Sequence, residues 1–262
     1  MPRPTTQGAV SVAARGARFL GRLSLQWLKR QGEYPGFVRQ WRKFRAAARA
    51  AGDVRFQLTA IDLLPILQQN TSTTSFDRHY VFHPAWAARK VAQLRPARHV
   101  DIGSTLQFCA QISAFVPVLF LDYRPAGLKL PGLTCERGDL LALQFPDGSL
   151  ESLSCMHTVE HVGLGRYGDP IDPTGDLKAI RELSRVLAVG GSLLFVVPVG
   201  RPRLNFNAHR IYSYEQVVAA FERLKLKEFT LIPDEGDLVE NAPPALVAEQ
   251  SLGCGCFWFT KE

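Results

Sequence analysis

The stretch "ARHVDIGSTLQFCAQISAFVPVLFLDYR", residues 97–124, decides the fold. "ARHVDI" is a short apolar run that stops at a glycine, the signature of a buried strand. "STLQFCAQIS" follows with helical character, and "VPVLFLD" is a second strand. Moving outward, the alternation continues. "AWAARKVAQL" precedes the stretch as a helix, and "LTCERGD" and "LESLSCM" follow it as a third and a fourth strand. A helix over residues 173–188 leads through Gly190-Gly191 into "SLLFVVPV", an unbroken apolar run typical of a central strand. "SYEQVVAAFERL" is a further helix, and "KEFTLIP" and "CFWFTK" are the last strands. Such alternation predicts an α/β fold, a doubly wound Rossmann-like sheet with helices on both faces.

Composition narrows the class. Hydrophobic residues make up 46% and charged residues 21% of the chain, which suits a globular protein. No run approaches the roughly 20 apolar residues of a membrane-spanning helix. The five cysteines include no CxxC pair, which argues against a zinc ribbon or disulfide scaffold and fits a reducing, cytoplasmic setting. Cys254 and Cys256 alternate along a strand and are read as core filling. Charge is unevenly placed. Residues 1–55 carry a net +10, and residues 56–262 sum to −3. The predicted organisation is therefore a basic amphipathic helical extension over 1–55 and one catalytic-type domain over 56–262. Within the extension, residues 9–30 read as a helix with Phe19, Leu23 and Trp27 on one side and Arg15, Arg18, Arg22 and Lys29 on another. Packing on the domain, a transit peptide, and peripheral docking of residues 1–50 on an anionic membrane face all fit this pattern. Nucleic acid is not an expected partner, since no recognised motif accompanies the charge.

Ligands of doubly wound sheets bind beyond the carboxyl ends of the strands. Three features fall there. Gly103 follows the first strand; Asp122 ends the second, nineteen residues later, near the spacing at which an acid takes ribose hydroxyls; Asp139 follows the third, where it can accept from an adenine amino group. Each residue alone has a plain alternative as a turn or cap. A dinucleotide site wants GxGxxG, and "GSTLQF" lacks the later glycines. A ligand with ribose and adenine but no phosphate fits better, and S-adenosylmethionine is that ligand.

"HVDIGS", "LDYRP", "GDLLALQFPDGSLESLSCMHTVEHV" and "VLAVGGSLLFVVPVG" together resemble class I S-adenosylmethionine-dependent methyltransferases. More narrowly, "EHVGLGRYGDPIDPTGDLKAIREL", "FNAHRIYS", "GDLVENA" and "GCGCFWFTK" resemble a methyltransferase-like family of unknown function, first catalogued in nematodes and widespread in bacteria. This resemblance runs from about Tyr34 to the C-terminus. It implies a sheet that is mostly parallel with an antiparallel C-terminal strand. It also implies that Asp101, Gly103 and Ser104 lie near the methionine moiety, Asp122 with Tyr123 at the ribose, and Asp139 and Leu140 at the adenine. Cys155 to His157 would supply backbone along the cofactor.

Between the fourth strand and the next helix lies "GLGRYGDPIDPTGD", residues 163–176, a loop with no helical or strand period. Asp172 and Pro173 suit a helix start as N-cap and first position. Arg166, Tyr167 and Asp169 have no such task and are read as a lid over the site, a rigid plug being the plain alternative. Methyl transfer requires an acceptor held in line and, for a hydroxyl, a base. His161, His157 and His209 are the candidate bases, with Glu160 as orienting carboxylate and Arg166 and Tyr167 as acceptor contacts. His79 and His83 could line the cofactor's carboxylate end. No tight ligand spacing points to a metal. The expected activity is O- or N-methylation of a small polar acceptor such as a sugar or glycan precursor. The rivals are a non-catalytic ligand-binding protein of the same fold and a nicotinamide-dependent oxidoreductase.

Overall fold

Leu193, Phe195 and Val197 are buried on one side of a central strand, and Leu194 and Val196 are buried on the other. A strand apolar on both faces needs cover on both, and that requirement organises the chain. A computed structural model describes residues 32–56, 58–60 and 63–262. The expectations placed on residues 1–31, including the Phe19/Leu23/Trp27 stripe, lie outside the described residues. The chain divides into two compact units, one ending at Ser75 and one beginning at Phe76. In the first, residues 32–50 are helical (α1) and the Gln68 backbone N–H donates to Glu33 at 2.7 Å.

The second unit holds the sheet. Its elements are α2 (Arg78–Leu94), β1 (His99–Ile102), α3 (Leu106–Ile112), β2 (Val118–Asp122), β3 (Leu133–Arg137) and β4 (Leu150–Met156). A 3-10 turn (Val159–His161), α4 (Gly175–Val186), β5 (Leu187–Val199) and the β6–β7 hairpin (Arg203–Asn205, His209–Ile211) follow. The chain ends with α5 (Tyr214–Ala220), β8 (Lys225–Ile232), α6 (Ala245–Glu249) and β9 (Gly253–Thr260). Strand order is β3-β2-β1-β4-β5-β9-β8. The neighbours from β3 to β5 run parallel, and β9 runs antiparallel to both β5 and β8. This is the doubly wound sheet, mostly parallel with a reversed C-terminal strand, that the sequence predicts. On one face α4 and α5 bring Leu183 and Phe221 onto Leu153, Phe195 and Phe257. On the other, α2 and α3 bring Trp86 and Phe108 onto Phe120, Val196 and Cys256.

Boundaries differ from the sequence reading in three places. α2 starts at Arg78, earlier than its apolar spacing suggests, because Asp77 caps it by accepting the Tyr80 N–H at 3.2 Å. α4 starts at Gly175 with Thr174 as N-cap, so Asp172 and Pro173 precede the helix instead of opening it. Gly190-Gly191 lies inside β5 and is not a connector: pairing with β4 jumps from Leu150↔Leu187 to Ser152↔Ser192, and Gly190 absorbs the bulge at φ 77°.

Chain order reverses between β1 and β4, which places a crevice beyond their carboxyl ends. Gly103 leaves β1 at φ 70°, and a Cβ there would come within 2.6 Å of Thr158 Cγ2. Only glycine lets the two strand ends approach so closely.

Candidate active site

Two cavities open at this crevice. The first, about 380 Å³, has an apolar floor of Ile102, Leu121, Leu140 and Val162, with Asp122 and Asp139 on its wall. Both aspartates sit at strand ends because turns hold them there. Asp122 Oδ1 accepts the Arg124 N–H at 2.7 Å, and Asp139 Oδ1 accepts the Leu141 N–H at 2.8 Å. Each second oxygen has no protein hydrogen-bond partner among the described residues and is available to a ligand. Tyr123 and Gly103 line the same cavity. The predicted group at the adenosine end therefore comes together around one space. Asp101 does not join it. It is fully buried and lines neither cavity, its carboxylate accepting the Ser104 N–H at 3.0 Å and the Ser154 hydroxyl. Burial pushes the Asp101 carboxyl up to about 6. Its structural work is to tie the turn after β1 to β4. Ser104 strengthens the same tie, its Oγ accepting the Met156 N–H at 3.0 Å, and it lines the second cavity instead of the first.

That second cavity, about 410 Å³, is crowded with titratable groups: His79, Tyr80, Glu160, Arg166 and His209 line it. Gly103, His157, His161 and Tyr167 line both cavities and form the edge between them. His157 stands just past β4 in the left-handed region, φ 54°, a conformation rarely adopted without a reason. Its Nδ1 lies 3.0 Å from Glu160 Oε1. Burial lowers the His157 imidazole to about 4 and raises the Glu160 carboxyl to about 7. The contact is thus a hydrogen bond of a neutral imidazole, not an ion pair. Glu160 is 1% exposed, and its Oε2 has no partner among the described residues. His161 Nδ1 lies 2.6 Å from the Ala208 carbonyl, which only accepts, so Nδ1 carries the proton and Nε2 the lone pair. That Nε2 is 3.7 Å from Glu160 Oε1. Burial also lowers the His161 imidazole, against the opposing pull of Glu160. His209 faces His161 edge-on from the β6–β7 hairpin, at 6.4 Å between rings.

The glycine-rich loop has a fixed neck and an open tip. At the neck, the Asp172 N–H donates to the Gly163 carbonyl at 2.9 Å. A Cβ on Gly163 would stand 2.0 Å from the Asp172 carbonyl oxygen, so the position admits only glycine. Arg210 bolts the neck by donating to the Val162 carbonyl at 2.7 Å, with Asp176 at 3.5 Å as counter-charge. Asp169 ties the interior, accepting backbone N–H groups of Gly163, Gly165 and Tyr167. Burial alone would raise its pKa, but these bonds hold it below the ordinary carboxylate value. Asp172 organises the entry to α4 by accepting the Thr174 N–H at 2.9 Å and pairing with Lys178 at 2.6 Å. At the tip, two guanidiniums lie against the Tyr167 ring, Arg124 at 4.4 Å and Arg166 at 5.1 Å from its centre.

Sequence reasoning missed Tyr80 and Cys254. Tyr80 stacks on His157 at 5.5 Å between rings. Cys254, read as core filling, is indeed fully buried, yet its Sγ lies 3.4 Å from His157 Nε2. His79, His157 and Cys254 place one ligating atom each within 4.8 Å of one another. These residues are far apart in the chain, so no spacing motif announces the cluster. His83 stays in the core under α2, its Nδ1–H donating to the His79 carbonyl at 2.6 Å, and burial lowers its imidazole to about 3.

Residues 142–225 match the family described as "Caenorhabditis protein of unknown function, DUF268". That segment spans β4, the loop, α4, β5, the hairpin and α5, and so carries His157, Glu160, His161, Arg166, Tyr167 and His209 of the second cavity. No curated protein matches the chain in sequence. Among solved structures, the [4+2]-cyclase SpnF is 14% identical with a TM-score of 0.53, covering 74% of this chain and 84% of its own. A TehB-like S-adenosylmethionine-dependent methyltransferase from Corynebacterium glutamicum is 17% identical, TM-score 0.46, covering 87% of this chain and 100% of its own. The N-methyltransferase NodS from Bradyrhizobium japonicum, solved with S-adenosyl-L-homocysteine, is 15% identical, TM-score 0.47, covering 68% and 85%. The cyclase likeness concerns the fold, and chemistry has to be argued from the site. Residues 142–225 are thus similar to DUF268, and the doubly wound sheet that holds them shares its fold with the SpnF structure.

Proposed function

We propose that the protein is an S-adenosylmethionine-dependent methyltransferase acting on an oxygen or nitrogen of a small polar acceptor, with a sugar or glycan precursor as the class that suits the second cavity. One observation carries this reading: the cavity walled by Asp122 and Asp139 and the polar cavity meet at Gly103, His157, His161 and Tyr167. A donor on one side and an acceptor on the other would face each other across that edge.

The residues of the first cavity fit the donor. Asp122 and Asp139 each offer a carboxylate oxygen, the floor is apolar, and the glycine repeat of a pyrophosphate cradle is missing. S-adenosylmethionine supplies an electrophilic methyl group when bound. The chain's own task is then positioning and proton removal, which together account for much of the barrier in such transfers. His161 Nε2, the ring nitrogen not engaged by the Ala208 carbonyl, takes the acceptor proton, and Glu160 beside it steadies the resulting imidazolium. Arg166 and His209 bind acceptor hydroxyls. Tyr167 and the tied loop exclude water. Calorimetry with S-adenosylmethionine and its demethylated product tests the reading; micromolar binding to folded wild type is expected. Absence of binding favours the non-catalytic rival, and preference for a nicotinamide cofactor favours the oxidoreductase.

We also propose that residues 1–50 dock on an anionic membrane surface. The support is the +10 charge of residues 1–55 and the exposed Phe44 among Arg42, Lys43 and Arg45 on α1. No helix among the described residues is long and apolar enough to cross a membrane. Each Lys or Arg near such a surface adds about 1 kcal/mol, screened by salt. Salt-sensitive co-sedimentation with anionic vesicles, lost on deleting residues 1–50, is expected; equal sedimentation of both forms ends the idea.

A further inference from the structure

His79 on α2 and His157 past the end of β4 line the polar cavity, and Cys254 on β9 is buried against His157. The nitrogen and sulfur atoms they offer lie within 4.8 Å of one another. His157 Nε2 and Cys254 Sγ, at 3.4 Å, already span about the 3.5 Å edge of a tetrahedron built with ordinary zinc–nitrogen and zinc–sulfur bonds. The two edges to His79 are no longer than 4.8 Å, so a side-chain adjustment of at most roughly 1.5 Å closes them.

The surroundings are those of a ligand set. A metal-bound imidazole usually donates its second ring nitrogen to a carboxylate or a backbone carbonyl, which fixes its tautomer and direction. His157 has such a partner: its Nδ1 faces Glu160 Oε1 at 3.0 Å, while its Nε2 faces Cys254 Sγ at 3.4 Å. A thiol–imidazole hydrogen bond alone would account for Cys254 and His157, but not for His79 lying stacked on the same ring at 5.5 Å. Two imidazoles and a thiolate are borderline-soft donors, the set that zinc and its neighbours prefer over magnesium or calcium.

We propose that His79, His157 and Cys254 bind a divalent ion of the zinc class, with a fourth position open to the polar cavity that His79, His157 and Glu160 line. Binding displaces the Cys254 thiol proton to solvent, and sulfur becomes the anionic ligand. The fourth position takes water or an oxygen of the molecule held in the cavity. Such a site ties α2 to β9 across the end of β4. It stands independently of the methyl-transfer reading.

Cobalt(II) titration of full-length protein stripped with a chelator tests this. Saturation at one equivalent is expected, with a thiolate-to-cobalt charge-transfer band and the intense visible bands of tetrahedral cobalt, both displaced by zinc(II). Cys254→Ser and His79→Gln should each weaken zinc binding at least 100-fold. Glu160→Gln, which loosens the hold on His157 without removing a ligand, should weaken it about 10- to 100-fold. Cys256→Ser, on the same strand face, should bind as wild type. The wild-type spectrum needs no variant to fold. Absence of the charge-transfer band, or full zinc stoichiometry retained in Cys254→Ser, overturns the proposal.

Discussion

Asp122 and Asp139 stand on one side of the β4 end and Glu160 on the other, and the three carboxyls are treated differently. The two aspartates commit one oxygen each to a neighbouring backbone N–H and sit at the ends of adjacent strands. Glu160 is sealed between His157 and His161, its carboxyl pushed up to about 7 by burial. The first side is made of short local turns and suits recognition of a neutral polar ligand. The second side is made of mutually tuned groups and suits proton movement. On the proposed reading the first side sets donor binding and the second sets turnover, a division that variants acting on one side alone can break.

The largest effect is expected at the base. His161→Ala should lower turnover by about 10²- to 10⁴-fold, the usual contribution of a positioned general base. Affinity for S-adenosylmethionine should stay within about threefold, less than 1 kcal/mol. Single-turnover kinetics beside calorimetry measures both. An equal loss of binding and turnover would erase the distinction between the two sides.

Asp122→Ala is the mirror experiment. Removal of a charge-assisted bond to a ribose hydroxyl should weaken donor binding by about 1.5–3 kcal/mol, with turnover at saturating donor nearly kept. Titration calorimetry and a donor-saturation curve check this pair of outcomes. Unchanged affinity would leave Asp122 as a turn former only.

These two sides are not equally legible in the sequence. Gly103, Asp122 and Asp139 each follow a strand that its own apolar run reveals, so a strand-end rule groups them from the residues alone. Asp101 escapes that rule because burial, not spacing, decides its direction: its carboxylate turns inward to Ser154 and Ser104. The polar side is assembled from α2, the β4 end, the hairpin and β9, which no local pattern links. Glu160, His161 and Arg166 are visible as a polar run after a strand. Tyr80 and Cys254 are not, because one looks like a helix surface residue and the other like core. The fold is legible nearly throughout because strand and helix periods are local, and the reading fails at Gly190-Gly191, where a bulge imitates a turn.

The pH dependence sharpens the comparison further. His161 serves as base only while Nε2 is unprotonated, and burial lowers its pKa below the ordinary value of 6.5. Turnover should therefore be level near pH 7 and fall only as pH drops below about 6.5. Glu160 is itself pushed up to about 7, so its negative charge, which favours the imidazolium, is mostly lost across that limb. Glu160→Gln should therefore lower turnover mainly above about pH 7, where the carboxylate is charged, and leave the acid limb and donor affinity close to wild type. An acid limb clearly displaced in the variant would mean that Glu160 stays charged beside His161.

The smallest effect is expected at Tyr167, and it is the one that should appear on both sides. Its ring lies 4.4 Å from the Arg124 guanidinium, which comes from the β2 end, and 5.1 Å from Arg166, which lines the polar cavity. It is also 38% exposed, so each cation–ring contact is worth only about 0.5–1 kcal/mol. Tyr167→Ala should raise both the donor dissociation constant and the acceptor KM by roughly two- to fivefold each. Tyr167→Phe keeps the ring and should leave both close to wild type. A rigid plug predicts something else: loss of the side chain would lower the melting temperature with little change in either constant. The neck already favours this division of labour, because Gly163, Asp172 and Arg210 hold the loop without help from its tip. A side chain that lines both cavities, meets His161 edge-on and has two cations against its ring is placed to couple them.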